Sequence, residues 1–77
     1  MYLSKIHVQY RDGSKASGVR VALGFSTPLG GVTRDAYTDS YGIALIEHLG
    51  RGRADVYVSG SRRGSLNAPG ETVVFVS

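Results

Sequence analysis

Residues 38–55 read TDSYGIALIEHLGRGRAD, and these eighteen positions hold two aspartates, a glutamate, a histidine, two arginines and a tyrosine. Acid–base chemistry needs an acid and a base whose tips meet at one reacting atom. Glu47 and His48 are adjacent at the end of an apolar run, so on an extended strand they point to opposite faces and share no proton-transfer site. A calcium loop requires a series of oxygen ligands such as Asp-x-Asp-x-Asp-Gly followed by Glu, and Asp39-Ser40-Tyr41-Gly42 offers one carboxylate. Asp39 reads instead as the opening residue of a turn closed by Gly42. Arg51 and Arg53 flank Gly52 in a second turn, and Asp55 shares an outward face with Arg53 and Tyr57, where a cross-strand ion pair is expected. The stretch reads as one strand bracketed by two turns.

Elsewhere no Ser/His/Asp, Cys/His or paired-carboxylate set can be assembled. Two histidines and no cysteine make a poor metal site. GGVTR lacks the spacing and following helix of a phosphate loop. No catalytic, metal or cofactor-binding residue is therefore expected. The residues that stand out as a binding surface are Arg20, Arg34, Arg51, Arg53, Tyr57, Arg62 and Arg63. Arg20, Arg34, Arg53 and Tyr57 fall at outward strand positions, and Arg51, Arg62 and Arg63 fall in turns that could share one end of the fold. Arginine and tyrosine combine contact area with a hydrogen-bonding tip, which suits protein interfaces, sugars or a phosphate backbone.

The elements that position these residues follow a period of two. Ile6 and Val8 alternate with Lys5, His7 and Gln9; Val19, Val21, Leu23 and Phe25 alternate with Arg20, Ala22 and Gly24; Ala54, Val56 and Val58 alternate with Asp55 and Tyr57. Weaker strands are expected at VTRDAYT (32–38), GIALIEH (42–48) and RRGSLN (62–67). ETVVFVS (71–77) is apolar on both faces, which means burial on both sides or pairing with another chain. DGSKASG, STPLGG, DSYG, HLGRG, SGSRRG and NAPGE supply turns between the runs. Seventy-seven residues make one domain, 1–77, with a thin core and no disulfide to staple it. The expected fold is all-β, about seven strands, a sandwich or half-open barrel. The net charge of +3 permits a polyanionic partner without requiring one. No apolar run is long enough for a membrane span, and MYLSKIHVQY alternates where a signal peptide would be uniformly apolar.

DGSKASGVRVAL (12–23) followed by YTDSYGIALIEHLGRGRADVYVSG resembles the carboxypeptidase regulatory-like family of prealbumin-like (transthyretin-like) sandwiches. The matching positions are Thr38, Asp39, Gly42, Ala44, Ile46, Leu49, Gly52, Ala54, Val56 and Val58. Members often carry aromatics where Ala44 and Ile46 stand and tyrosine where Ala54 stands, so the core here is expected to be smaller. The resemblance implies a seven-stranded antiparallel Greek-key sandwich, Ig-like in outline, used as a non-enzymatic accessory or adhesive module in a surface or secreted setting. Its partner is expected to be another protein or a second copy; a glycan or nucleic acid held on the Arg/Tyr face is the alternative. A second alternative comes from the transthyretin-like hydroxyisourate hydrolases, which carry a histidine in a first-strand setting similar to that of His7. Their C-terminal Tyr-Arg-Gly-Ser has no counterpart at this C-terminus, and Arg63-Gly64-Ser65 lies well before it.

Overall fold

The computed structural model describes residues 1–26 and 31–76. The centre of the expected STPLGG turn and the final Ser77 lie outside the described residues. Seven strands follow in order: β1 (Tyr2–Tyr10), β2 (Arg20–Phe25), β3 (Ala36–Tyr37), β4 (Ile43–His48), β5 (Gly52–Val58), β6 (Ser61–Ala68) and β7 (Glu71–Val76). Among the described residues there is no helix. The strands form a three-stranded sheet, β4-β1-β7, and a four-stranded sheet, β3-β2-β5-β6.

The two-residue period sets what each strand buries. Ile6 and Val8 from β1, Ala44 and Ile46 from β4 and Val74 from β7 meet Val21, Leu23, Phe25, Ala54, Val56 and Val58 from the other sheet in one cluster. Ile6, Val8, Val21, Leu23 and Val56 are fully buried. Truncating one of the larger of these to Ala costs about 2–5 kcal/mol, against a total of roughly 5–15 kcal/mol for a small domain. Ala44 and Ala54 are buried members of this cluster without the volume of an aromatic, which keeps the core thin.

The turn at Asp39 is built by its carboxylate. Asp39 Oδ1 accepts from the Tyr41 N–H at 2.8 Å and the Ile43 N–H at 3.0 Å, and Gly42 N–H donates to Asp39 O at 3.0 Å. Gly42 has φ of 74°, and a Cβ there would lie 2.6 Å from the Val8 carbonyl oxygen. Only glycine fits a left-handed position pressed this closely on another strand. The same turn directs Ile43–His48 to pair with β1 in register Ile6↔Ala44.

Three expectations are corrected. The strands are not all antiparallel: β7 runs parallel to β1, with Val8 opposite Val74. Parallel neighbours cannot be joined by a tight turn, and here nearly the whole chain serves as the connection. The strand expected over 32–38 contracts to Ala36–Tyr37, plus an isolated bridge between Gly24 and Val32. Threonine hydroxyls replace part of the ladder: Val19 N–H donates to Thr38 Oγ1 and Leu23 N–H to Thr33 Oγ1, each at 2.9 Å. Finally, Arg62 and Arg63 belong to β6 and not to a turn. The tight connection before them is Ser59-Gly60, both at positive φ (51° and 87°), the backbone of a two-residue hairpin loop.

Candidate functional site

The outward face of the four-stranded sheet gathers four of the seven candidate residues. Arg20 on β2 and Arg53 and Tyr57 on β5 alternate with the buried Val21, Ala54, Val56 and Val58, and Arg62 on β6 pairs across from Tyr57. Arg62 Nε lies 3.0 Å from Asp55 Oδ1, the cross-strand ion pair expected for that aspartate going to Arg62. Arg20 Nε lies 4.0 Å from Asp35 Oδ2. Both pairs are exposed, so each contributes little to stability, about 0–1 kcal/mol. The Tyr57 ring leans over Gly24, where a Cβ would meet Tyr57 Cε2 at 2.8 Å. The ring is a shared wall of two hollows. One, about 340 Å³, is bounded by Arg20, Ala22, Val32, Asp35, Tyr57 and Gly60. The other, about 190 Å³, is bounded by Gly24, Val32, Arg53, Asp55 and Tyr57 among others. Tyr37, opposite Arg20 in register, is exposed, a residue the sequence pattern did not single out.

The other three arginines lie apart. Arg51 does not share an end with Arg62 and Arg63. It precedes β5, next to the Gly52↔Ala68 pairing, whereas the Tyr57↔Arg62 pairing is at the far end of the same hairpin. Arg51 instead sits 5.4 Å from the centroid of the Tyr2 ring, a cation–π contact. Arg34 precedes β3 and lines a wider cleft with Met1, Asp35, Leu45 and His48. Arg63 is exposed beside the irregularity in the β5–β6 ladder.

The outward face of the three-stranded sheet has a different character. Leu3 and Leu45, each 54% exposed, stand with Val73 at 47% and Phe75 at 53% around a central column of Lys5, His7 and Gln9. His7 Nε2 is paired with Glu71 Oε2 across β1 and β7. His48 faces the opposite way, into the core, so within one chain the two histidines do not converge.

Sequence reasoning missed one buried polar pair. Ser4 and His48 are 1% and 4% exposed, with Ser4 Oγ 2.7 Å from His48 Nε2. His48 Nδ1 lies 2.8 Å from the Gly50 carbonyl oxygen, which can only accept, so Nδ1 carries the proton and Nε2 accepts from the Ser4 hydroxyl. Gly70 N–H donates to the same Ser4 oxygen at 3.2 Å. The imidazole is flanked by Phe25 and Tyr2, with ring centroids 5.3 and 5.9 Å away. A hydroxyl held by an oriented imidazole is the arrangement of an activated nucleophile, but here Ser4 is buried beneath the strands, His48 only borders the cleft beside Arg34, and the pair joins β1, β4 and the start of β7. The signal was present in the sequence: Ser4 continues the inward series of Ile6 and Val8, and His48 that of Ala44 and Ile46.

Among the described residues no group of three or more His, Cys, Asp or Glu could hold a metal ion. Among the same residues no helix is long and apolar enough to cross a membrane. Compared with family models, curated proteins and solved structures, the chain matches none of them.

Proposed function

We propose that the chain is a non-enzymatic β-sandwich module, of the carboxypeptidase regulatory-like kind, that associates with a second copy of itself through the free edge of β7. The sandwich reading is supported by two sheets of order β4-β1-β7 and β3-β2-β5-β6 contributing to one core. The non-enzymatic reading is supported by the burial of the Ser4–His48 pair.

The observation that carries the association is the contrast between β7 and the other sheet edges. Natural sheets blunt their edges by shortness, charge, bulges or cover. β3 is two residues long. β6 carries Arg62 and Arg63 beside a register shift, and β4 lies alongside β3 of the other sheet. β7 lies alongside β6 of the other sheet, but among the described residues its own sequence does little to blunt the edge: six residues, one charge, no proline and an uninterrupted register with β1. Lys5 N–H donates to Gly70 O at 2.9 Å. The alternation this sets turns the N–H and C=O groups of Glu71, Val73 and Phe75 away from β1, toward the open edge. Two copies pairing antiparallel about Val73 form a self-complementary two-fold contact, with Glu71 opposite Phe75 of the second copy and no like charges facing. The apolar face of Leu3, Leu45, Val73 and Phe75 then becomes continuous across a six-stranded sheet.

Sedimentation equilibrium over a range of concentrations and at two salt levels tests this. The expected result is a dimer whose dissociation constant is insensitive to salt, and which Val73→Pro converts to a folded monomer. Proline there removes only an outward-pointing N–H. A wild-type chain that stays monomeric to millimolar concentration refutes the proposal, as does a dimer that Val73→Pro leaves intact.

A further inference from the structure

We infer that the outward face of the four-stranded sheet is a binding site for an uncharged oligosaccharide, with Tyr57 as its stacking surface. The inference is independent of the β7 contact, which lies on the other sheet.

The site combines the parts that recognise a sugar. A pyranose ring presents a patch of C–H groups on its faces and hydroxyls around its rim. An aromatic ring supplies the apolar surface for the first, and planar side chains that donate and accept supply partners for the second. Tyr57 is held in place by contact with Gly24, whose missing side chain leaves room for the ring. Because the ring leans on the backbone of β2, it is ordered before any ligand arrives, which limits the entropy lost on binding. The larger hollow, about 340 Å³, has Ala22 as its floor and the Arg20–Asp35 pair at its side. The smaller, about 190 Å³, meets Arg53 and Asp55, the latter paired with Arg62. Two adjacent hollows with one aromatic wall between them suit two consecutive sugar units, not a single one.

Charge decides against a polyanion. Arg20 and Arg62 already have carboxylate partners in Asp35 and Asp55. Arg20, Arg53 and Arg62 against these two aspartates leave a net of one positive charge on the face (3 − 2 = 1). A phosphate backbone calls for several uncompensated cations along its track. Arginine and aspartate side by side, each with unused donors or acceptors, match hydroxyls, which both give and take hydrogen bonds.

The test uses the full chain, ¹⁵N-labelled, titrated with cellohexaose, maltohexaose, chitohexaose, xylohexaose and a heparin hexasaccharide. At least one of the neutral sugars is expected to shift the amides of Ala22, Gly24 and Tyr57 while leaving those of β7 unmoved. Raising salt from 50 to 300 mM leaves that affinity unchanged. Tyr57→Ala weakens binding at least tenfold and Tyr57→Phe less than threefold, with near-ultraviolet circular dichroism confirming that each variant is folded. If Tyr57→Ala does not fold, Asp35→Asn replaces it and is expected to weaken binding at least threefold. Absence of shifts with all four neutral sugars at 10 mM overturns the inference. So does heparin binding that is stronger than any neutral sugar and falls with salt.

Discussion

Ser4 and His48 offer the sharpest test of how this small core is held together. Ser4→Ala removes the hydroxyl that donates to His48 Nε2 at 2.7 Å and accepts from Gly70 N–H at 3.2 Å. Both partners are then left unsatisfied, at a cost of about 2 kcal/mol, since an orphaned buried polar group loses roughly 1–3 kcal/mol of hydration. His48→Phe keeps a ring between Tyr2 and Phe25 but strands the Ser4 hydroxyl and the buried Gly50 carbonyl, again costing about 2 kcal/mol. In the double variant the hydroxyl–imidazole bond is lost once, so the total is about 3 and not 4 kcal/mol, a coupling of about 1 kcal/mol. With a urea slope of about 1 kcal/mol per molar for a chain this short, the midpoints fall by about 2 M, 2 M and 3 M. Urea unfolding followed by tyrosine fluorescence and circular dichroism reads all three. A Ser4→Ala variant within about 0.5 kcal/mol of the wild type, or strictly additive losses, would refute the claim that this bond is a structural tie.

Other local features give direct outcomes. Gly42→Ala places a Cβ 2.6 Å from the Val8 carbonyl oxygen at a φ of 74°; it is expected to cost at least about 2 kcal/mol in urea unfolding, from strain and overpacking together. Ser59→Asn, at φ 51° before Gly60 in the β5–β6 loop, is expected to raise stability by roughly 0.5 kcal/mol in the same assay, because asparagine tolerates the left-handed region better than serine. Thr38→Val removes a hydroxyl that accepts from Val19 N–H at 2.9 Å and donates to Ala16 O at 2.6 Å, and thermal unfolding is expected to show a loss of about 2 kcal/mol. The Asp12 carboxyl is held below its usual 3.8 by the Ser14 hydroxyl, then by the Ser14 N–H. Because its folded-state pKa is depressed, its contribution to stability is in place at neutral pH and is lost as pH falls through that folded-state value. Carboxyl NMR titration is expected to place its midpoint below 3.8, and Ser14→Ala to move it up.

The inward strand positions were legible because apolar side chains recur at every second residue. Ile6 and Val8, Val21 and Leu23, and Ala54, Val56 and Val58 all lie where that alternation puts them. The Asp39–Gly42 turn was legible for an equally local reason, a carboxylate two and four residues before the N–H groups it binds. What depends on distant partners was not. β3 is short because the hydroxyls of Thr33 and Thr38 satisfy the N–H groups of Leu23 in β2 and of Val19 just before it, and nothing near residue 33 reveals that. Ser4 and His48 obey the alternation, yet polar side chains are assigned to solvent by default, and only their pairing makes burial affordable. The separation of Arg51 from Arg62 followed from a rule that was available. Successive turns lie at opposite ends of the strand between them, so residues flanking β5 cannot cluster. For β7, apolar character on both faces left burial and pairing open, and an edge position with Val74 inward and Val73 and Phe75 outward resolves the structural half of that choice.

The two proposed surfaces belong to different sheets, and this makes their relation testable as well as their existence. Glu71, Val73 and Phe75 point away from the core on one side, and Tyr57 with its arginine–aspartate neighbours points away on the other. Between them lies the packed cluster of Ile6, Leu23, Val56 and their neighbours. Coupling between sites requires an element with two arrangements that both ligands bias. β6 and β7 touch and are joined by a short turn, but the β1–β7 register is uninterrupted and each sheet is backed by the other, so among the described residues both faces rest on one packed arrangement. Sugar on the Tyr57 face therefore leaves the dimer constant unchanged, and dimerisation leaves sugar affinity unchanged, as reciprocity requires. Sedimentation repeated at saturating sugar measures this. A tenfold shift in the dimer constant, about 1.4 kcal/mol of coupling, would mean that the ligand reaches the β7 edge, and that the two sheets do not act as separate faces.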